Sequence, residues 1–176
     1  SGFLADLEAN DVPVADRDCL LLGAGGSARA VAYGLAISGA RVQVLARRLE
    51  QANEVVRDLR PYLSHTAHLT SLPLAQLPQA ANSSAPLIIN STPLGMTPNE
   101  VSTPWPDTLA FPPNAIIYDL VYNPRHTLLM QQAEAAGCRA INGLGMLVQQ
   151  GIKAFALWTG QQPDTAVMHQ AIAHFY

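Results

Sequence analysis

A cluster of small residues near the N-terminus has the composition of a phosphate-binding loop. Residues 23–28 read G-x-G-x-x-A and consist of Gly23, Ala24, Gly25, Gly26, Ser27 and Ala28. In this pattern the first glycine permits a tight turn, the second lets the backbone approach a pyrophosphate, and the small last residue lets helix and strand pack closely. An apolar run precedes the loop and a helical pattern follows it, which is the context that makes the pattern informative. The alternative is a glycine-rich turn that binds no ligand.

Two arginines follow the second apolar run, where dinucleotide-binding folds usually carry an acidic residue. That residue lies about 20 positions beyond the glycine loop and accepts hydrogen bonds from the adenosine ribose. Ala46 occupies this place, and Arg47 and Arg48 come next. Because arginine forms bidentate, charge-assisted bonds to phosphate, the pair favours NADP over NAD. The alternative is that both are solvated residues at a helix start, although arginine there opposes the helix dipole.

The order of elements predicts an α/β fold. Continuous apolar runs alternate with helix-patterned segments, as expected for parallel strands covered by helices on both faces. Right-handed crossovers then give a doubly wound (Rossmann) sheet of six strands in the order 3-2-1-4-5-6. We expect residues 1–144 to form the nucleotide-binding domain and residues 145–176 to form a C-terminal helical pair, with helices that start near Met146 and Pro163.

Three loops are expected to meet at the carboxyl ends of the strands, where ligands bind in such folds. In the first, NSTPLGM, Ser91 and Thr92 offer hydrogen bonds to a cofactor. In the second, DLVYNP, Tyr122 either presents its hydroxyl to a substrate or packs at the strand end. In the third, NGLGMLVQQ, Gln149 and Gln150 are adjacent on a helix, so that only one of them can face the cleft.

Composition restricts the classes of function. Hydrophobic residues make up 49% of the 176 residues, which indicates a packed core, and the net charge of -3 gives no electrostatic reason to expect nucleic-acid binding. No apolar run approaches the roughly 18 residues of a membrane span. The five histidines show no metal-ligand spacing, so no metal site is predicted. Cys19 and Cys138 are interpreted as buried free thiols, which suits a reducing cytoplasm.

Four motifs resemble the cofactor domain of the shikimate dehydrogenase family. In chain order they are GAGGSARA, NSTPLGM, YDLVYNP and GLGMLVQQGIKAFALWTG, and the resemblance covers nearly the whole chain. It implies an NADP(H)-binding domain of an oxidoreductase that reduces 3-dehydroshikimate to shikimate with NADPH, in the shikimate pathway of aromatic amino-acid biosynthesis. Quinate as the substrate, or a nucleotide-binding module without catalysis, are the alternatives.

The resemblance also implies roles for residues of the nucleotide clamp. Arg47 matches the central arginine of the family's N-R-T-x-x-R/K clamp for the 2'-phosphate. Ala46, Arg48 and Gln51 depart from the usual Asn, Thr and basic residue, and Arg48 is expected to supply the missing charge.

Five further positions match residues of the family at the reacting end. Thr92 matches a threonine near the nicotinamide half of the cofactor, and Gly143 and Met146 match residues that line the nicotinamide. Tyr122 and Gln150 match the tyrosine and glutamine that contact the substrate, which selects Gln150 over Gln149.

The family's catalytic lysine and aspartate belong to an N-terminal substrate domain. SGFLADL resembles the segment that follows this aspartate, and the only lysine, Lys153, lies far downstream. The resemblance therefore implies that this chain contains no catalytic residue, shares its substrate with a missing domain and turns over slowly alone. The C-terminal helices are expected to pack on that domain or to pair two chains as a homodimer.

Overall fold

The computed structural model describes residues 1–82 and 85–173. The strands are β1 (Asp18–Leu22), β2 (Arg41–Ala46), β3 (His68–Pro73), β4 (Leu87–Asn90), β5 (Ile116–Asp119) and β6 (Arg139–Asn142). The α-helices are α1 (Gly2–Ala9), α2 (Gly26–Ile37), α3 (Leu49–Leu59), α4 (Leu77–Ala80), α5 (Leu128–Ala135), α6 (Leu144–Thr159) and α7 (Thr165–Ala173). Short 3-10 turns occupy Arg60–Tyr62 and Leu74–Gln76.

The strands form one parallel sheet in the order β3-β2-β1-β4-β5-β6. The predicted doubly wound α/β fold and its strand order are therefore confirmed. Leu22 of β1 lies in register with Leu45 of β2 and with Asn90 of β4, and Asn90 lies in register with Asp119 of β5. The carboxyl ends of four strands thus lie side by side, and the loops that leave them are neighbours.

The apolar residues of the strands divide between two layers of core. In β1, Cys19 and Leu21 face the layer that contains α1, α2 and α3, while Leu20 and Leu22 face the layer that contains α5. This alternation, with both faces apolar, explains why β1 reads as a continuous hydrophobic run.

Helix α1 was not expected from the sequence. The Ser1 side chain caps it by accepting a hydrogen bond from the Leu4 N–H at 3.3 Å, and Phe3 and Leu7 are buried. A helix of 8 residues is too short to be stable alone, so its stability comes from packing against the rest of the domain. Stabilisation by tertiary packing leaves little helical periodicity in the sequence of α1.

Helix α5 begins at Leu128, because the Thr127 side chain caps it and accepts a hydrogen bond from the Met130 N–H at 3.4 Å. Helix α6 begins at Leu144, two residues before the predicted start near Met146. Its last residue is Thr159, and the C-cap Gly160 has a positive φ of 70°.

The proline-rich segment after β4 packs as irregular structure. Trp105 is buried, stacks on Phe111 with ring centroids 4.7 Å apart, and donates its indole N–H to the Leu109 carbonyl at 2.8 Å. The segment thereby covers the layer of core around α5.

The C-terminal helices leave apolar side chains on the surface. Leu157 and Trp158 of α6 are each 82% exposed, and Val167 of α7 is 58% exposed. Among the helices of the described chain, none combines the length and the apolarity needed to span a bilayer. Cys19 and Cys138 are buried, as the sequence predicted.

Candidate functional site

The glycine loop joins β1 to α2 by a turn that requires glycine. Gly23 has a φ of +111°, and a Cβ placed on it would lie 2.6 Å from the Ser91 Oγ. Its N–H donates to the Leu45 carbonyl at 2.8 Å. The Ser91 hydroxyl in turn donates to the Leu22 carbonyl at 2.8 Å. The turn therefore ties the ends of β1 and β2 to the loop after β4.

The first turn of α2 presents uncapped backbone to open space. Gly25 is its N-cap and offers no side-chain hydrogen bond. A Cβ on Gly25 or Gly26 would meet no atom within 4 Å, while Ala28 is fully buried against the sheet. The free N–H groups and the positive end of the helix dipole make this turn suited to an anion such as a pyrophosphate.

A cavity of about 520 Å³ opens beside this turn. Its wall joins the glycine loop, the end of β2 and the loop after β4, and it includes Gly23, Ala24, Gly25, Ala46, Arg47, Arg48, Gln51, Ser91 and Thr92. The structure thus brings together most of the cofactor-binding residues predicted from the sequence. The described residues of the wall include two arginines and no carboxyl side chain, so an anionic ligand is favoured.

The two arginines are free to bind such a ligand. Ala46, the last residue of β2, is buried and carries no hydrogen-bonding group. Both Arg47 and Arg48 are exposed, and neither takes part in an ion pair between described residues. Arg48 is the N-cap residue of α3, but its side chain makes no capping hydrogen bond. A role in helix stability therefore does not explain it.

The loop after β4 is held by a buried asparagine. The side-chain Oδ1 of Asn90 accepts hydrogen bonds from the Thr92 N–H at 2.9 Å and from the Thr92 hydroxyl at 2.7 Å. Its amide donates to the Asp119 carboxylate at 2.9 Å and to the Leu94 carbonyl at 3.3 Å. These bonds fix Thr92 at the edge of the cavity. Sequence reasoning missed Asn90, although a polar residue that ends an apolar strand was a usable signal.

Asp119 is the centre of this network. Its carboxylate also accepts hydrogen bonds from the Val121 N–H at 3.0 Å and from the Thr127 hydroxyl at 2.7 Å. Burial raises the pKa of Asp119 to about 6, and the bonds from Thr127, Val121 and Asn90 oppose that rise. Asp119 therefore orients the loops after β4 and β5 and does not face a ligand.

Two smaller cavities lie beside the first turn of α2. One, of about 390 Å³, is lined by Ser27, Thr92 and Tyr122, and the other, of about 280 Å³, is lined by Ser27, Met146 and Gln150. The two cavities also share Leu120. Tyr122 and Gln150, the predicted substrate contacts, thus each line a cavity that also includes Ser27 of this turn.

Gly143 has a different position from the one that its predicted role suggests. It is buried and lines neither of these cavities, and a Cβ there would overlap the Leu120 carbonyl. Its visible role is to let the start of α6 lie against the end of β5.

The comparisons with known proteins agree with this geometry. Residues 143–173 match the family model described as the shikimate 5'-dehydrogenase C-terminal domain. The NADP(+)-type shikimate dehydrogenase of Carboxydothermus hydrogenoformans is 39% identical over 97% of the chain. Over nearly its whole length the chain is similar to members of the shikimate dehydrogenase family. It spans 60% of the length of that relative.

Solved structures of related dehydrogenases share the fold. The shikimate dehydrogenase of Thermus thermophilus, in complex with NADP(H) and shikimate, has a TM-score of 0.81 and 35% identity, and the match covers 98% of this chain and 60% of that one. A quinate dehydrogenase of Corynebacterium glutamicum, in complex with NAD, has a TM-score of 0.87 and 26% identity, with coverage of 98% and 60%.

The pKa of Asp119 leads to a pH-dependent prediction for this domain. Because the folded-state pKa lies above the usual 3.8, the folded state takes up a proton that the unfolded chain does not. Asp119 therefore stabilises the fold most below about pH 4 and loses this contribution as pH rises through about 6. Relative to the Asp119→Asn variant, the wild type should gain on the order of 3 kcal/mol at most between pH 7 and pH 4.

Urea unfolding of both proteins from pH 4 to pH 7 measures this difference. A gap between the two free energies of unfolding that stays constant, or that widens as pH rises, would contradict the assignment. The shared pH dependence of all other groups cancels in the comparison, since both proteins contain them.

Proposed function

We propose that this chain is the NADP(H)-binding domain of a shikimate dehydrogenase, which reduces 3-dehydroshikimate to shikimate. The observation that carries the proposal is the cavity wall with two unpaired arginines and no carboxylate, beside an uncapped helix start. NADP differs from NAD by a 2'-phosphate with about two negative charges, so a wall of this kind discriminates between them. The curated relatives are named as NADP(+) enzymes, which supports NADP as the cofactor.

The glycine loop and the arginines would divide the cofactor between them. The first turn of α2, with Gly25 and Gly26, would hold the pyrophosphate, and Arg47 and Arg48 would bind the 2'-phosphate. The nicotinamide half would then extend past Ser91 and Thr92, which line the cavity of about 390 Å³, toward Met146, which lines the cavity of about 280 Å³. When bound, the nicotinamide supplies the hydride of the reaction.

Tyr122 and Gln150 are the residues that we propose to contact the substrate. Both line cavities beside the proposed nicotinamide position, and both offer hydrogen bonds to hydroxyl groups. The Thermus thermophilus relative binds shikimate in the crystal, and the structural match to a quinate dehydrogenase keeps quinate as the second candidate substrate.

We propose a division at residue 144 between the nucleotide-binding domain and the C-terminal helices. Helices α6 and α7 expose Leu157, Trp158 and Val167, which would pack on a substrate domain or on a second copy of the chain. Sedimentation equilibrium of the wild-type chain and of a Trp158→Glu variant tests the homodimer. If the exposed helices pair two chains, the wild type should be a dimer and the variant a monomer.

The two buried thiols are consistent with a reducing compartment such as the cytoplasm.

The first test of the cofactor assignment is the removal of each arginine. Arg47→Ala should weaken NADP+ binding by roughly 10- to 100-fold, because a charge-assisted bond to phosphate contributes about 1.5–3 kcal/mol. Arg48→Ala should weaken it by a smaller factor, and NAD+ binding should change less than twofold in both variants. Isothermal titration calorimetry measures all of these affinities.

Arg57→Ala is the matched control. Arg57 is an exposed arginine of α3 that is not part of the cavity wall. If its removal weakened NADP+ binding as much as Arg47→Ala, the effect would reflect net charge and the proposed clamp would be wrong.

A second test concerns turnover. Among residues 1–82 and 85–173, no carboxyl, imidazole or ammonium side chain lines the three cavities, so none of these residues places a group that transfers a proton at neutral pH beside the proposed substrate position. Lys153 instead donates to the Ser1 carbonyl at 3.0 Å. The purified chain, given NADPH and 3-dehydroshikimate, should turn over far below the usual range of about 1–10³ s⁻¹. A rate within that range would contradict our account of the active site.

A further inference from the structure

Helix α1 packs unusually closely on the first half of α6. A Cβ added to Gly2 would lie 2.7 Å from the Gln150 Cγ and 2.9 Å from the Met146 carbonyl oxygen. A Cβ added to Gly145 would overlap the Asp6 carboxylate. Glycine on each helix therefore permits an approach that any other residue would prevent, and the contact has one fixed register.

The Asp6 side chain is buried within this contact. It is 5% exposed, and its carboxylate accepts a hydrogen bond from the Tyr118 hydroxyl. The Asn10 amide donates to it as well, at 3.3 Å. Because a buried carboxylate is costly unless its hydrogen bonds are satisfied, this arrangement holds the two donors in place.

Asp6 also lies directly against the start of α6. The first N–H of that helix, from Leu144, donates to the Asn142 side chain at 3.0 Å. The Asp6 carboxylate packs against Gly145 in the same turn, so α1 places an acidic group at the positive end of the α6 dipole. Tyr118 is fully buried in β5, and its hydrogen bond to this carboxylate therefore joins the start of α6 to the sheet.

The residues of α6 that face the proposed ligands depend on this anchor. Met146 and Gln150 are four positions apart, so they lie on one face of the helix, and both line the cavity beside Ser27. A small rotation or retreat of α6 would move both side chains relative to the glycine loop.

We propose that Asp6 is a positioning residue, which sets α6 so that Met146 and Gln150 form the wall against the nicotinamide half of the cofactor. The inference rests on the proposed function. It predicts that the loss of Asp6 weakens contacts to the nicotinamide half and leaves those to the adenosine half unchanged.

Two ligands distinguish the binding contributions of the two halves of the cofactor. 2',5'-ADP contains the 2'-phosphate and the adenosine without the nicotinamide, while NADP+ contains both halves. We expect Asp6→Ala to weaken NADP+ binding about tenfold or more, the factor that corresponds to the loss of one charge-assisted hydrogen bond. The affinity for 2',5'-ADP should change less than twofold. Calorimetric titration of both ligands into each protein measures the split.

Milder variants cover the case in which Asp6→Ala does not fold. Asp6→Asn keeps the shape and one acceptor oxygen, and Tyr118→Phe removes a single hydroxyl. Both should lose NADP+ affinity selectively and by a smaller factor than Asp6→Ala. Glu8→Ala, at an exposed position of α1, is the matched control and should bind both ligands as the wild type does.

Each result decides between the alternatives. Equal losses of both ligands would show a general structural role, and unchanged affinity for both would show none, so either result overturns the proposal. Wild-type protein that binds 2',5'-ADP as tightly as NADP+ would overturn it too, because α6 would then contribute nothing. Wild-type protein that binds neither ligand would instead refute the proposed function on which the inference rests.

Discussion

The site depends on the hydrogen bond between the buried side chains of Asn90 and Asp119, at the ends of β4 and β5. The two strands are neighbours in register, so the bond joins their carboxyl ends. The loop with Thr92 begins at Asn90, and the loop with Tyr122 begins at Asp119, so the bond fixes where both loops start. The Thr127 hydroxyl donates to the same carboxylate and holds the start of α5 beside it. Removal of one member would leave the others buried and unsatisfied, at a cost of about 1–3 kcal/mol for each unpaired group.

Ligand binding at the carboxyl edge of the sheet depends on the charged groups that line the cavity. Parallel strands and the dipole of α2 bring uncapped N–H groups to the cavity, which suits any nucleotide with a pyrophosphate. We propose that discrimination arises at the end of β2, where Ala46 stands in place of the usual acceptor for a ribose hydroxyl and two arginines follow that form no ion pair with a described residue. On this proposal the same scaffold would serve either nicotinamide cofactor, and a few residues at one strand end would select between them.

Local sequence patterns were sufficient where the interaction is local. The glycine loop, the strand order and the place of the arginines all follow from residues close together in sequence, and the structure puts the loop and the arginines in one cavity. The features that were missed are joined over long distances. Asp6 and Tyr118 are 112 positions apart, and Asn90 and Asp119 are 29 apart, so no periodicity or motif links them. Helix α1 was missed for the same reason, since it is stabilised by contact with α6.

The measurement that tests the central claim most directly is the titration of the wild-type chain with NADP+ and with NAD+ under the same salt conditions. The arginine pair and the missing carboxylate require NADP+ to bind at least roughly tenfold more tightly, with a difference that shrinks as added salt screens the phosphate contacts. Equal affinities, or tighter binding of NAD+, would contradict the assignment of Arg47 and Arg48 to the 2'-phosphate.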